Sequence, residues 1–179
     1  MIRLGRILFG VLLALYPIAV YWSLRHDAVH WAALLLAAAA FLQALTSKSR
    51  VSWFCAAAAG LLAATAAAAN TPLPVKFYPV VVNAAWLSFF ALSLAGESVV
   101  EKLARLREPN LPEDGQRYCR KVTAAWCLFF ILNGSVALDS ALNRSDAWWA
   151  LYNGFIAYGL IALMFAGEWL VRRLVRKSS

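Results

Sequence analysis

VTAAWCLFFILNGSVALDSAL, residues 122–142, contains a single carboxylate in a run of 21 residues. About 20 predominantly apolar residues cross the hydrocarbon core of a bilayer as one helix, which satisfies its own backbone hydrogen bonds there. Five further apolar runs of similar length lie at 4–24, 28–46, 51–69, 78–96 and 147–171. The whole chain is 15% charged, against about 25% in a soluble domain. The sequence therefore predicts an all-α, polytopic membrane bundle of six transmembrane helices in one domain.

The positive charges are divided unevenly between the segments that join these runs. If the N-terminus is cytoplasmic, fourteen lysines and arginines fall on the cytoplasmic side and only Arg25, Lys76 and Arg144 on the other. Segments rich in Lys and Arg stay in the cytoplasm. We therefore expect both termini in the cytoplasm, with the chain as a multi-pass membrane protein. The net charge of +8 follows from this topology and does not indicate nucleic-acid binding, since no soluble basic domain is predicted.

The longest joining segment, 97–121, is predicted to be cytoplasmic. Apolar residues recur at helical spacing in its first part, and Glu101 lies four residues before Arg105 as a helical ion pair. We predict a helical extension or a surface-lying amphipathic helix over 97–107. The prolines and glycine of EPNLPEDG, residues 108–115, are predicted to end it.

Cations dominate this predicted cytoplasmic face. Attraction to anionic lipid explains them, and docking of an acidic soluble partner such as an acyl carrier protein is the sharper alternative. Glu97 and Glu168 are carboxylates at the cytoplasmic ends of two spans, and Glu168 is placed to pair with Arg172. A structural ion pair is favoured over a proton-coupling role for these carboxylates at that depth. The basic face comprises Lys102, Arg105, Arg107, Arg117, Arg120, Lys121, Arg172, Arg173 and Arg176.

Polar side chains interrupt the spans mainly in the half that is predicted to face the periplasm. An unsatisfied amide is costly in hydrocarbon, so we expect these groups to point at one another or at water. A polar pocket open to the periplasm and simple hydrogen bonding between helices are the two interpretations, and the second is favoured because only one member is charged. The predicted polar layer consists of Tyr16, Asn83, Asn133, Asp139, Tyr152 and Asn153.

Two local patterns bear on how the helices are built and packed. Tyr78-Pro79 is predicted to open the fourth span, because proline in a first turn loses no intrahelical hydrogen bond. The alanine-rich third span, CAAAAGLLAATAAAAN over 55–70, allows close helix packing and is expected at the centre of the bundle, with the second span as a candidate neighbour.

An internal similarity raises the question of duplication. AGESVVEKLAR at 95–105 matches AGEWLVRRLVR at 166–176 in six of eleven positions. Parallel repeats of this kind occur in transporters. The alternative is that the ends of cytoplasmic helices have similar compositions, and the sequence leaves both open.

Motifs for chemistry are weak. His26, Asp27 and His30 form HDAVH, which lacks the glutamate of a zinc-binding HExxH helix, and Asp27 suits a helix N-cap. No nucleophile–base pattern or phosphate-binding glycine loop is present, so neither catalysis nor a metal or other cofactor is predicted. The three cysteines, Cys55, Cys119 and Cys127, are expected to be reduced, small packing residues.

Four stretches carry a family resemblance: YPVVVNAAWLSFF, EKLARLREPNLP, RKVTAAWCLFFILNG and WALYNGFIAYGLIALMFAGEWLVRR, all within 78–173. Together they resemble a small bacterial inner-membrane family found in aryl-polyene (xanthomonadin-like) pigment clusters beside fatty-acid-synthase-type enzymes. AWCLFFILNG after a proline loop is more faintly similar to the intracellular septation protein A family. The resemblances imply a role near envelope-lipid or polyene assembly and supply no catalytic residues.

From these observations we expect a non-enzymatic accessory protein that supports assembly or transfer of an envelope lipid or aryl polyene. Its partners would be anionic inner-leaflet lipids and, through the resemblance, an acyl carrier protein or fatty-acid-synthase-type enzymes. A small transporter or flippase that uses the polar layer is the alternative. The sequence does not indicate an oligomeric state.

Overall fold

The structure is a computed structural model, which describes residues 50–69, 71, 73–106 and 108–177 and isolated positions between 21 and 45. For residues 50 and 173–177 only the backbone is described. Apart from those isolated positions, the predicted spans at 4–24 and 28–46 lie outside the described residues, as do Tyr16 and the HDAVH segment.

Every regular element of the described residues is helical. A segment of π-helix, Tyr152–Ile156, interrupts the last part of the chain. In chain order the α-helices are α1 (Arg50–Ala69), α2 (Leu73–Lys76), α3 (Tyr78–Ser93), α4 (Val99–Arg105), α5 (Glu113–Asn143), α6 (Asp146–Leu151) and α7 (Ala157–Lys177).

Four described stretches are long and apolar enough to cross a membrane. They are Val51–Ala69, Leu73–Ser93, Glu113–Asn143 and Asp146–Arg172. These correspond to the predicted third to sixth spans, so the described part of the chain is an all-helical, membrane-embedded protein.

The outward surface fits a hydrocarbon solvent. Leu61 is 67% exposed, Leu92 76% and Leu163 67%, one on each of α1, α3 and α7. In water, a surface this rich in exposed leucine would drive association, whereas lipid chains solvate it at no cost.

The start of α3 confirms one local prediction. Tyr78 begins the helix and Pro79 lies in its first turn, where its missing N–H is not needed. The single turn of α2 precedes it, and Phe77 separates the two.

Helix α5 begins at Glu113, nine residues before the predicted boundary at 122. Pro112 occupies the N-cap position, and the carboxylates of Glu113 and Asp114 in the first turn favour the positive end of the helix dipole. At 1.5 Å per residue its 31 residues reach about 46 Å, well beyond the ~30 Å hydrocarbon core. The helix is therefore longer than one crossing needs, and its N-terminal half gives α4 a surface to pack on.

We name the two ends of the bundle by their connections. The loop end carries residues 94–112 and the first turns of α5, and the turn end carries residues 71–77 and 144–145.

The two halves of the bundle have different cores. Toward the turn end, small residues of α1 pack closely. Ala59 and Ala66 are fully buried in a cluster that also contains Trp149 of α6 and Ala40 of the predicted second span. Toward the loop end, α3, α5 and α7 pack through aromatic rings, with the Trp126 and Phe165 centroids 4.9 Å apart. The central place predicted for α1 stays a prediction, because most of the predicted second span is not described.

The two matching segments of the internal similarity differ in backbone. Residues 94–97 form a turn between α3 and α4, whereas residues 166–176 continue α7 without interruption. Similar sequences thus form a turn followed by a short helix at 95–105 and part of one continuous helix at 166–176.

Candidate functional site

Asn83, Asn133 and Tyr152 meet between three membrane-crossing segments. Asn133 Nδ2 donates to Asn83 Oδ1 at 3.0 Å, and the Tyr152 hydroxyl donates to Asn133 Oδ1 at 2.9 Å. Asn83 Nδ2 donates in turn to the carbonyl of Pro79 in its own helix at 2.8 Å. All three side chains are buried, so a continuous chain of hydrogen bonds joins α3, α5 and the π-helical segment.

The neighbouring Asn153 makes a second link to α5 and stabilises the π-helical backbone. Its Nδ2 donates to Ser140 Oγ at 3.1 Å and to the Trp149 carbonyl at 2.9 Å. A π-helical turn displaces backbone N–H groups from their usual partners. At the start of this one, the Trp149 carbonyl accepts from both the Tyr152 backbone N–H and the Asn153 amide. We call Asn83, Asn133, Ser140, Tyr152 and Asn153 together the amide network.

Helices α3 and α5 approach closely beside this network. A Cβ placed on Gly134 would lie 3.1 Å from Asn83 Cβ, which is closer than ordinary van der Waals contact. The absence of a side chain at Gly134 therefore lets the amide of Asn83 reach Asn133 directly.

The structure gathers four of the six residues of the predicted polar layer and places Asp139 elsewhere. Asp139 Oδ2 accepts from Arg144 Nε at 2.9 Å, and Oδ1 accepts from Asn143 Nδ2 at 2.8 Å, on the exposed surface of the turn end. The sixth residue, Tyr16, lies outside the described residues. Ser140 is a member that sequence analysis missed, because a serine in a helix usually bonds its own backbone.

The chemistry available to the amide network is hydrogen bonding. Its groups are three amides and two hydroxyls, none of them charged, and each has a partner within the network or in the adjacent backbone. Within the described residues, no group of three or more His, Cys, Asp or Glu side chains is placed to hold a metal. The three cysteines are free thiols, with Cys55 and Cys119 buried.

A half-buried ion pair lies at the turn end. The Lys76 ammonium contacts the Asp146 carboxylate, and Trp149 Nε1 donates to the Lys76 carbonyl at 3.1 Å. The Lys76 side chain is 11% exposed, while that of Asp146 is 44% exposed. In the sequence, Lys76 and Asp146 are oppositely charged residues that each lie just before a predicted span, which is the pattern from which the ion pair could have been predicted. Sequence analysis used Lys76 only for its charge.

At the loop end, two arginines of the predicted basic face bind within the protein. Arg105 contacts Glu97 at 2.8 Å and Glu101 at 2.9 Å, which confirms the predicted Glu101–Arg105 pair. Arg120 donates to the carbonyls of Gly96 at 2.9 Å and Leu94 at 2.6 Å. These carbonyls belong to the turn after α3, so Arg120 caps it from α5.

The other described cations fall into two groups. Arg172 contacts Glu168 at 2.8 Å, as predicted, and Arg117 makes longer contacts to carboxylates in the first turn of α5. Lys102 and Lys121 are exposed, and neither forms an ion pair with another described residue. The predicted members Arg107, Arg173 and Arg176 have side chains outside the described part of the structure.

Helix α4 packs on the protein through Val100 and Glu101 and exposes two leucines on its outward side. Glu101 is 5% exposed and Val100 6%, whereas Leu103 is 61% exposed and Leu106, just after the helix, 81%. Ser98 caps the helix by accepting from the Glu101 backbone N–H at 3.3 Å. A separate helix is therefore present within the predicted 97–107 segment, over Val99–Arg105, and its packed side contains the buried carboxylate.

Comparison with known proteins does not extend these observations, since no protein-family model, curated protein or solved structure matches the chain. The family resemblance of residues 78–173 accordingly stays a prediction.

Proposed function

We propose that the protein is a non-enzymatic accessory protein of the bacterial inner membrane that supports assembly or transfer of an envelope lipid or aryl-polyene product. In this proposal both termini and the loop end face the cytoplasm. The membrane-embedded part is a scaffold, and the loop end is the working surface that meets anionic lipid or an acidic soluble partner.

The observation that carries the proposal is the way the polar groups are used. Within the membrane, the amide network satisfies its own donors and acceptors across three segments, as expected of groups that hold helices together. At the loop end, Arg105 pairs with Glu97 and Glu101, and Arg120 donates to backbone carbonyls. Among the described residues, Lys102 and Lys121 remain as exposed cations without an ion pair. Fixed, unpaired cations favour electrostatic docking, because no internal partner competes with the ligand.

The experiment separates docking from folding by choosing cations without structural partners. In a strain that lacks the gene, we would compare wild type with a Lys102→Glu/Lys121→Glu variant at matched membrane levels. We expect less lipid or polyene product and less acyl carrier protein recovered with the tagged membrane protein. Unchanged product and unchanged recovery would overturn the proposal. Arg105→Glu serves as the contrasting variant, since it should lower the amount of folded protein as well.

A transporter or flippase is the second candidate, and the π-helical segment favours it. Such segments often occur at functional sites, and here Tyr152 and Asn153 lie in one. An Asn133→Ala variant that is folded at wild-type levels, makes product and retains it in the inner leaflet would replace the accessory role by transport. Product distributed as in wild type would remove the transporter.

A further inference from the structure

The outward side of α4 is a fixed surface with an unusual combination of side chains. Leu103 and Leu106 are 61% and 81% exposed, with the exposed Lys102 beside them. The opposite side is held in place, since Val100 is buried against Cys119 and Trp126 of α5. These leucines are therefore presented by a packed helix rather than by a loose connection.

The depth of α4 follows from its packing on α5. Cys119 lies three residues before 122, the first residue of the apolar run, which is about 4.5 Å along a helix. The headgroup region adds about 5–8 Å on each side of the hydrocarbon core. Because Val100 also packs on Trp126, four residues inside the apolar run, α4 lies at the boundary between the headgroups and the acyl chains.

Lipid is the occupant that this level and this chemistry select. A helix in the interface buries apolar side chains at the boundary with the acyl chains and keeps its cations at the phosphates. Leucines beside an unpaired lysine match that arrangement, and the anionic cytoplasmic leaflet matches the lysine in charge. A protein partner would instead need a larger apolar patch than two leucines to dock stably.

We propose that α4 inserts Leu103 and Leu106 into the lipid surface at the loop end and that Lys102 binds an anionic lipid phosphate. This inference deepens the proposed lipid contact of the loop end and rests on the proposed function only in taking that end to face the anionic leaflet. Insertion depth tests it separately from any measurement of product.

The experiment uses the full chain in vesicles of phosphatidylcholine with or without phosphatidylglycerol. Cys55 and Cys127 are replaced by alanine, and Cys119 is kept because it is 3% exposed. A polarity-sensitive fluorophore is attached to Leu103→Cys, to Leu106→Cys or to the exposed control Asn110→Cys. Quenching is then measured with aqueous iodide and with nitroxide-labelled lipids of each headgroup.

We expect the labels at 103 and 106 to be quenched by nitroxide lipid and protected from iodide, and the label at 110 to show the reverse. Lys102→Gln should reduce the preference of the label at 103 for phosphatidylglycerol over phosphatidylcholine by up to about fivefold, the factor that one lysine supplies near an anionic surface. Iodide quenching at 103 and 106 equal to that at 110 would overturn the inference. Protection from both quenchers would also overturn it, because a protein surface or a second copy would then cover α4.

Discussion

Replacing Asn133 by alanine removes two hydrogen bonds between helices at once. One is donated to Asn83 at 3.0 Å and the other is accepted from Tyr152 at 2.9 Å. Hydrogen bonds between membrane helices average about 0.6 kcal/mol and reach about 1.7 kcal/mol. The pair is therefore expected to contribute about 1.2 kcal/mol and at most about 3.4 kcal/mol. Buried groups left without partners on Asn83 and Tyr152 place the expected loss in the upper part of that range.

The assay is reversible unfolding in mixed micelles of a mild detergent and SDS, followed by the circular dichroism of the helices. Ser135→Ala is the matched control on the same helix, because the Ser135 hydroxyl is exposed and bonds only the Ile131 carbonyl of α5 at 2.8 Å. The control should stay within about 0.5 kcal/mol of wild type, as most surface changes do. A loss for Asn133→Ala no larger than that of the control would refute the view that the network holds the helices together.

Two further predictions concern close packing and the half-buried ion pair. Gly134→Ala should destabilise the protein by about 1 kcal/mol, since the new methyl would meet Asn83 Cβ at 3.1 Å. Gly159→Ala has open space and should be neutral or slightly stabilising. Equal effects of the two substitutions in the same unfolding assay would contradict the close approach of α3 and α5. Asp146→Asn should cost more than Lys76→Met, because it leaves the charge of a side chain that is 11% exposed without its partner. We expect Asp146→Asn to lower the unfolding free energy by at most about 3 kcal/mol, the lower limit for breaking a fully buried pair. A larger loss for Lys76→Met than for Asp146→Asn would contradict the pairing.

The sequence predicted the described spans well because hydrocarbon imposes a simple length rule. The prediction was less accurate for the parts of helices outside the apolar runs. Helix α5 continues back to Glu113 through a charged segment, where acidic residues favour its first turn and α4 packs against it. The predicted boundary at 122 marks the start of the apolar run and not the start of the helix.

Periodicity predicted one apolar face on α4, but the structure divides its apolar residues: Val100 is buried, whereas Leu103 and Leu106 are exposed. In water the apolar face turns inward, whereas at the edge of a membrane lipid competes for it. The observed helix buries Glu101 in an ion pair with Arg105 and exposes Leu103. Only the tertiary contacts of α4 decide between the two orientations.

Depth along the helices predicted most of the amide network but misplaced Asp139. A residue's depth does not say toward which side of its helix the side chain points. Asn133 and Asn83 lie at a similar depth and face each other, whereas Asp139 lies on a different side of α5, where it accepts from Arg144. The π-helical segment shifts the register at Tyr152, and the hydrophobic pattern of the sequence does not predict that shift.

If α5 crosses a bilayer as proposed, the loop end lies in the cytoplasm and the turn end on the opposite side. Single cysteines at Asn110 and at Ala147, in a background with the native cysteines replaced, would be tested with a membrane-impermeant maleimide on intact spheroplasts and after permeabilisation. Residue 147 should be labelled on intact cells, and residue 110 only after the membrane is opened. Labelling of both positions from the same side would contradict the account.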